Sequence, residues 1–170
     1  MRHLREISRF IIGAMMVGVT GPAGAADSSA ANYDEAVACS RQLGEHGDGA
    51  MAAAAHRRCI IAIATTYIDA EEGSLAPEKQ LLADDVSRHS LGNPPNHVAG
   101  NAAKIKADRG SSVIAAIKNR KWSVDGNAAW IVYDGYLKSD PSKPLFYVAE
   151  RLTIEKGLIR EIFIGGVHKK

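Results

Sequence analysis

The chain has 170 residues, 24% of them charged, and a formal net charge of +2, which is enough sequence for one domain. Residues 1–26 hold three arginines and one glutamate, so they account for the positive charge, and the remainder is close to neutral. A neutral chain without a basic stripe is poorly suited to holding a phosphate backbone. We therefore expect no nucleic-acid partner.

The N-terminus has the three parts of a secretory signal peptide. A basic start is followed by a short apolar run over residues 10–19 and by the small residues of "GPAGAA", where Ala-x-Ala predicts cleavage after Ala25 or one residue later. A membrane anchor is the alternative, but glycines and Pro22 interrupt the segment, whereas a span needs about 20 apolar residues. We expect residues 1–26 to be removed and the mature protein to be exported, periplasmic or secreted, with no membrane partner.

Two helices are predicted next, over residues 31–45 and 50–72, with the glycine-rich turn "GEHGDGA" between them. Each helix contains one of the two cysteines, Cys39 and Cys59. An oxidising compartment favours a disulfide between them. The alternative is two buried thiols that never meet.

The middle of the chain alternates short elements. The stretch "GSLAPEKQLLADDV" predicts a break followed by a short helix, and residues 86–91 predict a brief strand that the prolines of "GNPPN" end. Because neighbours in a strand alternate, either Arg88 or His89 points into the protein. Residues 101–120 predict a helix interrupted at Gly110.

The rest of the chain predicts β-strands in two hairpins. "KWSVDGNAAWIVYDGYL" has an Asp-Gly turn, and "PLFYVAERLTIEKGLIREIFIGG" turns at Glu-Lys-Gly. Helices first and antiparallel strands last indicate an α+β domain whose helices cover one face of a curved sheet. We assign residues 27–55 to an N-terminal helical extension with its linker and residues 56–168 to this domain.

The closing hairpin raises a question about Arg151 and Glu161. A three-residue loop ending at Gly157 places these two side chains opposite each other on one face. A two-residue turn pairs Arg151 with Ile162 instead and sends the two charges to opposite faces. Gly157 favours the longer loop. The face with the charges also carries Tyr147 and other apolar residues, so we expect it to be the concave side, although the opposite face is also aliphatic.

The segment "AERLTIEKGLIREIFI" resembles the closing hairpin of the SnoaL-like and ketosteroid-isomerase-like proteins of the nuclear transport factor 2 superfamily. It is especially similar to a secreted branch with "R-L-x-V…G-x-I-x-E-I-E", to which Arg151, Leu152, Ile154, Gly157, Ile159 and Glu161 correspond. Phe163 departs from the pattern, since that branch often has a second acid there. The resemblance spans roughly residues 57–166. It implies a cone, in which a strongly curved antiparallel sheet wraps around N-terminal helices and an apolar cavity opens at one end, preceded here by an extra N-terminal helix.

Several residues are candidates for chemistry in such a cavity. Asp134 is a candidate acid or base, His89 a general base near neutral pH, and Tyr67 a polariser of a carbonyl. The alternatives are an exposed aspartate, a structural or exposed histidine and a core tyrosine. Arg151 and Glu161 either clamp a ligand carboxylate or pair structurally. The expected pocket residues are Trp130, Tyr136, Tyr147, Arg151, Glu161 and Phe163.

Binding is therefore the favoured function. We expect a pocket for a small hydrophobic or carbonyl-type ligand without an established reaction, and the alternative is a lyase or isomerase that uses Asp134 or His89 as base and Tyr67 as polariser. No serine-nucleophile elbow, phosphate loop or His-Glu-x-x-His occurs in the sequence, and we expect neither cofactor nor metal. A homodimer through the sheet is the expected protein partnership.

Overall fold

A computed structural model describes residues 24–47, 51–91 and 95–168. The predicted signal peptide lies outside the described residues except for its last three positions, which already belong to the first helix. None of the helices in these ranges is both long and apolar enough to cross a membrane. The elements in chain order are α1 (Gly24–His46), α2 (Ala53–Glu72), a 3₁₀ turn (Pro77–Lys79), β1 (Leu82–Ser90), β2 (Asn96–Val98), α3 (Ala102–Gly110), β3 (Ile114–Asp125), β4 (Ala128–Leu137), β5 (Phe146–Glu155) and β6 (Leu158–His168).

Two predicted helices are wrong in part. The short helix after Pro77 is a single 3₁₀ turn, and the chain enters β1 as early as Leu82. The helix predicted over residues 101–120 ends at Gly110, and Ile114 starts the long strand β3. The β-branched residues Ile114 and Ile117 belong to this strand, which pairs along its length with β4.

The sheet has six strands in the order β2-β1-β6-β5-β4-β3. All neighbours are antiparallel except β1 and β6, which run parallel. The sheet is therefore mixed and not purely antiparallel as expected, because the last strand returns to lie beside the first. Its curvature and its open ends agree with the predicted cone-shaped α+β fold.

The helices cover one face of the sheet, here called the inner face. Its buried side chains include Ile131, Tyr133, Glu150, Leu152 and Ile162, and they pack with the apolar face of α2. The other face, here called the outer face, carries the alternate residues of the same strands. Three large aromatic side chains are exposed on it, and these are Trp130 (44%), Tyr147 (45%) and Phe163 (37%).

The extra helix α1 is fixed at two points. Cys39 and Cys59 form a disulfide, which confirms the predicted pairing and joins α1 to α2. The second point is Ser40, the residue after Cys39, against which the turn between β5 and β6 packs. A Cβ added at Gly157 in this turn would lie only 2.0 Å from the carbonyl oxygen of Ser40. Gly157 has φ of +77°, so glycine meets both the conformational and the steric requirement there.

The register of this hairpin differs from the predicted one. The turn has two residues, with Glu155 paired to Leu158, and a bulge in β6 then shifts the register so that Arg151 lies opposite Phe163. The extra residue thus sits in the strand and not in the loop. Because the bulge restores the face that a two-residue turn would have changed, Arg151 and Glu161 still share a face and form an ion pair. That face is the outer one, so the predicted concave placement is wrong.

Candidate functional site

The inner face holds a compact group of ionisable side chains. The hydroxyl of Tyr133 donates to Oε1 of Glu150 at 2.6 Å and lies 3.2 Å from Oε2 of Glu71. Glu71 comes from the last turn of α2, and the other two residues come from the central strands β4 and β5. All three are buried, with exposed fractions of 8% for Glu71, 2% for Tyr133 and 1% for Glu150. We call these three residues the carboxyl cluster.

The pKa of one acid in the carboxyl cluster is strongly perturbed. Burial raises the pKa of Glu71 well above its ordinary value, and the adjacent charge of Glu150 raises it further. The hydrogen bond from Tyr133 and the positive charge of Arg88 act in the opposite direction without cancelling the effect. Two carboxyls in contact repel each other when both are ionised, and this repulsion adds to the preference of Glu71 for its neutral form.

Arg88 is a buried residue of β1 on the inner face of the sheet. Its guanidinium donates to Asp108 of α3 at 2.5 Å, and the Arg88 side chain is only 8% exposed. Partial burial works to raise the pKa of Asp108, but the hydrogen bond and charge of Arg88 outweigh it and leave that pKa lowered. Arg88, and not His89, is therefore the inward residue of β1, which was one of the two predicted alternatives.

A bulge in β3 lies opposite Tyr133 of the carboxyl cluster. Lys118 pairs with Asp134 and Lys121 with Val132, so β3 has one residue more than β4 between these pairs. Asn119 takes a left-handed conformation with φ of 56°. Bulges of this kind redirect side chains and are frequent next to functional sites.

The bulge turns Arg120 towards α2. Its guanidinium donates to Asp69 at 2.8 Å and also binds Glu72. Burial lowers the pKa of Arg120, but the hydrogen bond to Asp69 and the charges of both acids more than compensate, so its pKa is raised and its charge is secure. These bonds fix the bulge to the C-terminal turns of the helix that also supplies Glu71.

A cleft of about 440 Å³ lies at this bulge, and here we call it the bulge cleft. Its lining residues are Asn119, Arg120, Lys121, Val132, Tyr133, Asp134 and Tyr147. Tyr133 thus belongs both to the bulge cleft and to the carboxyl cluster. A second cleft, of about 400 Å³, lies between α1 and α2 and includes Arg57 and Arg58, but it contains no member of the carboxyl cluster.

Most predicted pocket residues lie on the outer face. Trp130, Asp134 and Tyr136 alternate with the inner residues Ile131, Tyr133 and Gly135 along β4, and Arg151, Glu161 and Phe163 share the outer face of the next strands. The structure brings Asp134 and Tyr147 together at the rim of the bulge cleft. Asp134 accepts a hydrogen bond from Asn119 at 2.7 Å.

The other two candidates for catalysis lie apart from each other. His89 is on the outer face, where it contacts His97 and stacks on Phe163. Tyr67 is completely buried on the core face of α2, one turn before Glu71, which places both side chains on the same side of the helix. Their proposed catalytic roles remain predictions.

Sequence reasoning missed the carboxyl cluster. Glu150 shares one face of β5 with Val148, Leu152 and Ile154, so a single acid interrupts an otherwise aliphatic face. That interruption was the available signal, because an acid among buried aliphatic residues needs a partner. The aromatic residues on the opposite face indicated that face as the pocket side, and this prediction was wrong.

Comparisons with known proteins identify the fold. No protein-family model and no curated protein matches the chain, but solved structures do. A candidate ketosteroid isomerase from Kribbella flavida aligns with a TM-score of 0.55 at 18% identity, over 67% of this chain and 82% of its own. A phenazine biosynthesis-related protein from Pseudomonas aeruginosa aligns with a TM-score of 0.55 at 16% identity, over 74% and 86%. An LEH-like epoxide hydrolase from M. tuberculosis aligns with a TM-score of 0.51 at 13% identity, over 64% and 82%.

At these identities the likeness is one of architecture. The chain has the nuclear transport factor 2-like fold, as the resemblance of its closing hairpin implied. Proteins with this fold include isomerases and epoxide hydrolases, and a shared fold does not fix a shared reaction.

Proposed function

We propose that the chain is an exported domain that binds a small hydrophobic or carbonyl-bearing molecule at the bulge cleft, to which Tyr133 connects the buried carboxyl cluster. The observation that carries the proposal is the pair of contacting carboxyls, Glu71 and Glu150, on the inner face. Burying such groups costs free energy. Strongly perturbed acids beside a cleft are a common mark of a functional site.

The chemistry of the cluster suits a ligand with a carbonyl or hydroxyl group. The raised pKa of Glu71 favours its neutral form, which can donate a hydrogen bond, Glu150 accepts one, and the Tyr133 hydroxyl lies between them. Tyr133 borders the bulge cleft while its buried hydroxyl contacts both acids, so a molecule bound in the cleft acts on the two acids through the position of Tyr133. Val132 and Tyr147 give the same cleft apolar surface.

The alternative function is a lyase or isomerase built on the same residues. In that case Glu150 takes the role of base that the sequence suggested for Asp134 or His89, and Tyr133 takes the role of polariser suggested for Tyr67. The raised pKa of Glu71 favours its protonated form, which suits this side chain to return a proton. Binding remains the first proposal because the polar atoms of the carboxyl cluster form hydrogen bonds to one another, and such an arrangement does not identify a base directed at a substrate.

A thermal-shift and native mass spectrometry screen of small ketones, enols and sugars tests both functions. A ligand at 100 times its Kd should stabilise the wild type by about 2.7 kcal/mol, and Glu150→Gln should lose most of this effect. His89→Gln is the matched control because His89 is not among the residues that line the bulge cleft, and it should bind normally. Ligands that stabilise Glu150→Gln as well as wild type would contradict the proposal. Turnover that Glu71→Gln abolishes would establish the enzymatic alternative.

Export is supported by the disulfide between Cys39 and Cys59, because such bonds persist in oxidising compartments. Intact mass spectrometry of protein from the periplasm or medium tests this part. We expect a chain that starts after residue 25 or 26 and carries no free thiol. Full-length protein confined to the cytoplasm with reduced cysteines would contradict it.

A further inference from the structure

The outer face carries a pair of histidines that take no part in the proposed function. His89 on β1 and His97 on β2 are directly opposite each other in the sheet. Their Nδ1 atoms are 2.9 Å apart, and their ring centroids are 4.1 Å apart. His97 is exposed and His89 half-buried, so an ion in solution can reach both.

We propose that this pair is a binding site for a divalent late transition metal, with Cu²⁺ or Ni²⁺ preferred over Zn²⁺. Neutral imidazole is a good ligand for all three ions. The two Nδ1 atoms are hydrogen-bonded to each other, so a metal ion that takes the place of the shared proton, which moves to the other nitrogen of its ring, would meet both nitrogens at once. The structure has brought together two ligands that are eight positions apart in the chain.

The separation of the two nitrogens selects among metals. With metal–nitrogen bonds of about 2.0–2.1 Å, an Nδ1–Nδ1 distance of 2.9 Å corresponds to an angle of about 90° at the metal. That is the angle between adjacent ligands in the square-planar or tetragonal geometry typical of Cu²⁺ and Ni²⁺. Tetrahedral Zn²⁺ would need the nitrogens about 3.3 Å apart, so the rings would have to separate.

The surroundings restrain the His89 ring and leave coordination positions of the metal free for other ligands. Phe163 stacks on His89 with ring centroids 5.8 Å apart, which limits the rotation of that imidazole. Among the described residues no group of three or more histidines, cysteines or acids is arranged to hold a metal. The protein therefore supplies two ligands from this pair, and water or a donor from another molecule completes the coordination.

Titration of the full chain with Cu²⁺ at pH 7.5, followed by calorimetry and electron paramagnetic resonance, tests the proposal. All samples carry His3→Ala, because a histidine third from a free N-terminus can itself chelate Cu²⁺. We expect a tetragonal spectrum with coupling to two imidazole nitrogens, tighter binding of Cu²⁺ than of Zn²⁺, and loss of binding at pH 5, where protonated imidazole cannot ligate.

Two variants and one control decide the outcome. His89→Gln and His97→Gln should each weaken Cu²⁺ binding at least about tenfold, since even the outer-shell partners of a metal ligand are worth about 10–100-fold. His97 is exposed on the three-residue strand β2, so His97→Gln is the variant that keeps its fold. His46→Gln, which changes a single exposed histidine of α1, should bind like wild type. Unchanged binding in His97→Gln, or tighter binding of Zn²⁺ than of Cu²⁺, would overturn the assignment.

Discussion

Replacing Gly157 by alanine should destabilise the protein far more than a glycine-to-alanine change in a comparable turn. Gly157 has φ of +77°, and its new Cβ would lie 2.0 Å from the carbonyl oxygen and 2.7 Å from the carbonyl carbon of Ser40. The obstacle is helix backbone and not a flexible side chain. Either the turn or helix α1 must therefore move.

The expected magnitude has two parts. A left-handed conformation costs a non-glycine residue about 1–2 kcal/mol, and overpacking typically costs about 1–3 kcal/mol more, so Gly157→Ala should lose about 2–5 kcal/mol. Gly126→Ala is the matched control, because Gly126 also has positive φ, at +53°, but nothing lies within 4 Å of its added Cβ. Gly126→Ala should therefore lose only the conformational cost, about 1–2 kcal/mol.

Urea denaturation of both variants measures the difference. The disulfide provides a further check, because Cys39 is adjacent to Ser40 and holds α1 against α2. In a background with both cysteines replaced by serine, α1 can shift away from the turn, and the excess cost of Gly157→Ala should shrink. If the free energies of unfolding of Gly157→Ala and Gly126→Ala agree within about 0.5 kcal/mol, the contact between α1 and the turn is not tight and the reasoning is wrong.

The remaining predictions concern charge and assembly. The pKa of Glu71 is raised in the folded state, so its contribution to stability is fully present below the ordinary glutamate pKa of about 4.3. This contribution is lost as pH rises through the raised pKa, by at most about 1.4 kcal/mol per pH unit. Glu71→Gln should remove this pH dependence from a series of urea titrations, and an unchanged pH dependence would refute the prediction. The Arg151 and Glu161 side chains are 35% and 38% exposed, so Arg151→Met and Glu161→Gln should each cost at most about 1 kcal/mol in urea denaturation, and a loss above about 3 kcal/mol would show a buried pair. If the outer face pairs two copies of the chain, Trp130→Asp should convert a dimer into a monomer in analytical ultracentrifugation while Lys143→Asp, on the exposed loop before β5, leaves it intact; a monomeric wild type would refute the dimer.

The order of the elements could be predicted because its signals are local. Asp-Gly and Lys-Gly turns, glycines after helices and an even pair of cysteines each act over a few residues or through simple chemistry. Residues 114–120 show where this fails. A β-branched stretch after a helix suits either structure, and only its pairing with β4, which follows in the chain, settles it as strand.

The candidate site was predictable only in part, because period-two alternation separates two faces without saying which one is buried. On β4 and β5 one face carries Trp130, Asp134 and Tyr147, and the other carries Tyr133 and Glu150. Aromatic content favoured the first face. Burial instead followed the aliphatic residues, since Leu152 and Ile154 fit against α2 and take Glu150 inward with them.

The misplaced register of the closing hairpin has a cause in the same packing. Gly157 allows a loop of either two or three residues, so the local sequence does not decide. A three-residue loop would need space at the end of the hairpin, but Gly157 already lies against the Ser40 backbone of α1. The extra residue is accommodated in β6 instead, where Arg160 pairs with Asp85 at 2.6 Å and with Glu155 at 3.3 Å. Helix α1 thus selects the short turn, and the resulting bulge keeps Arg151 and Glu161 together on the outer face.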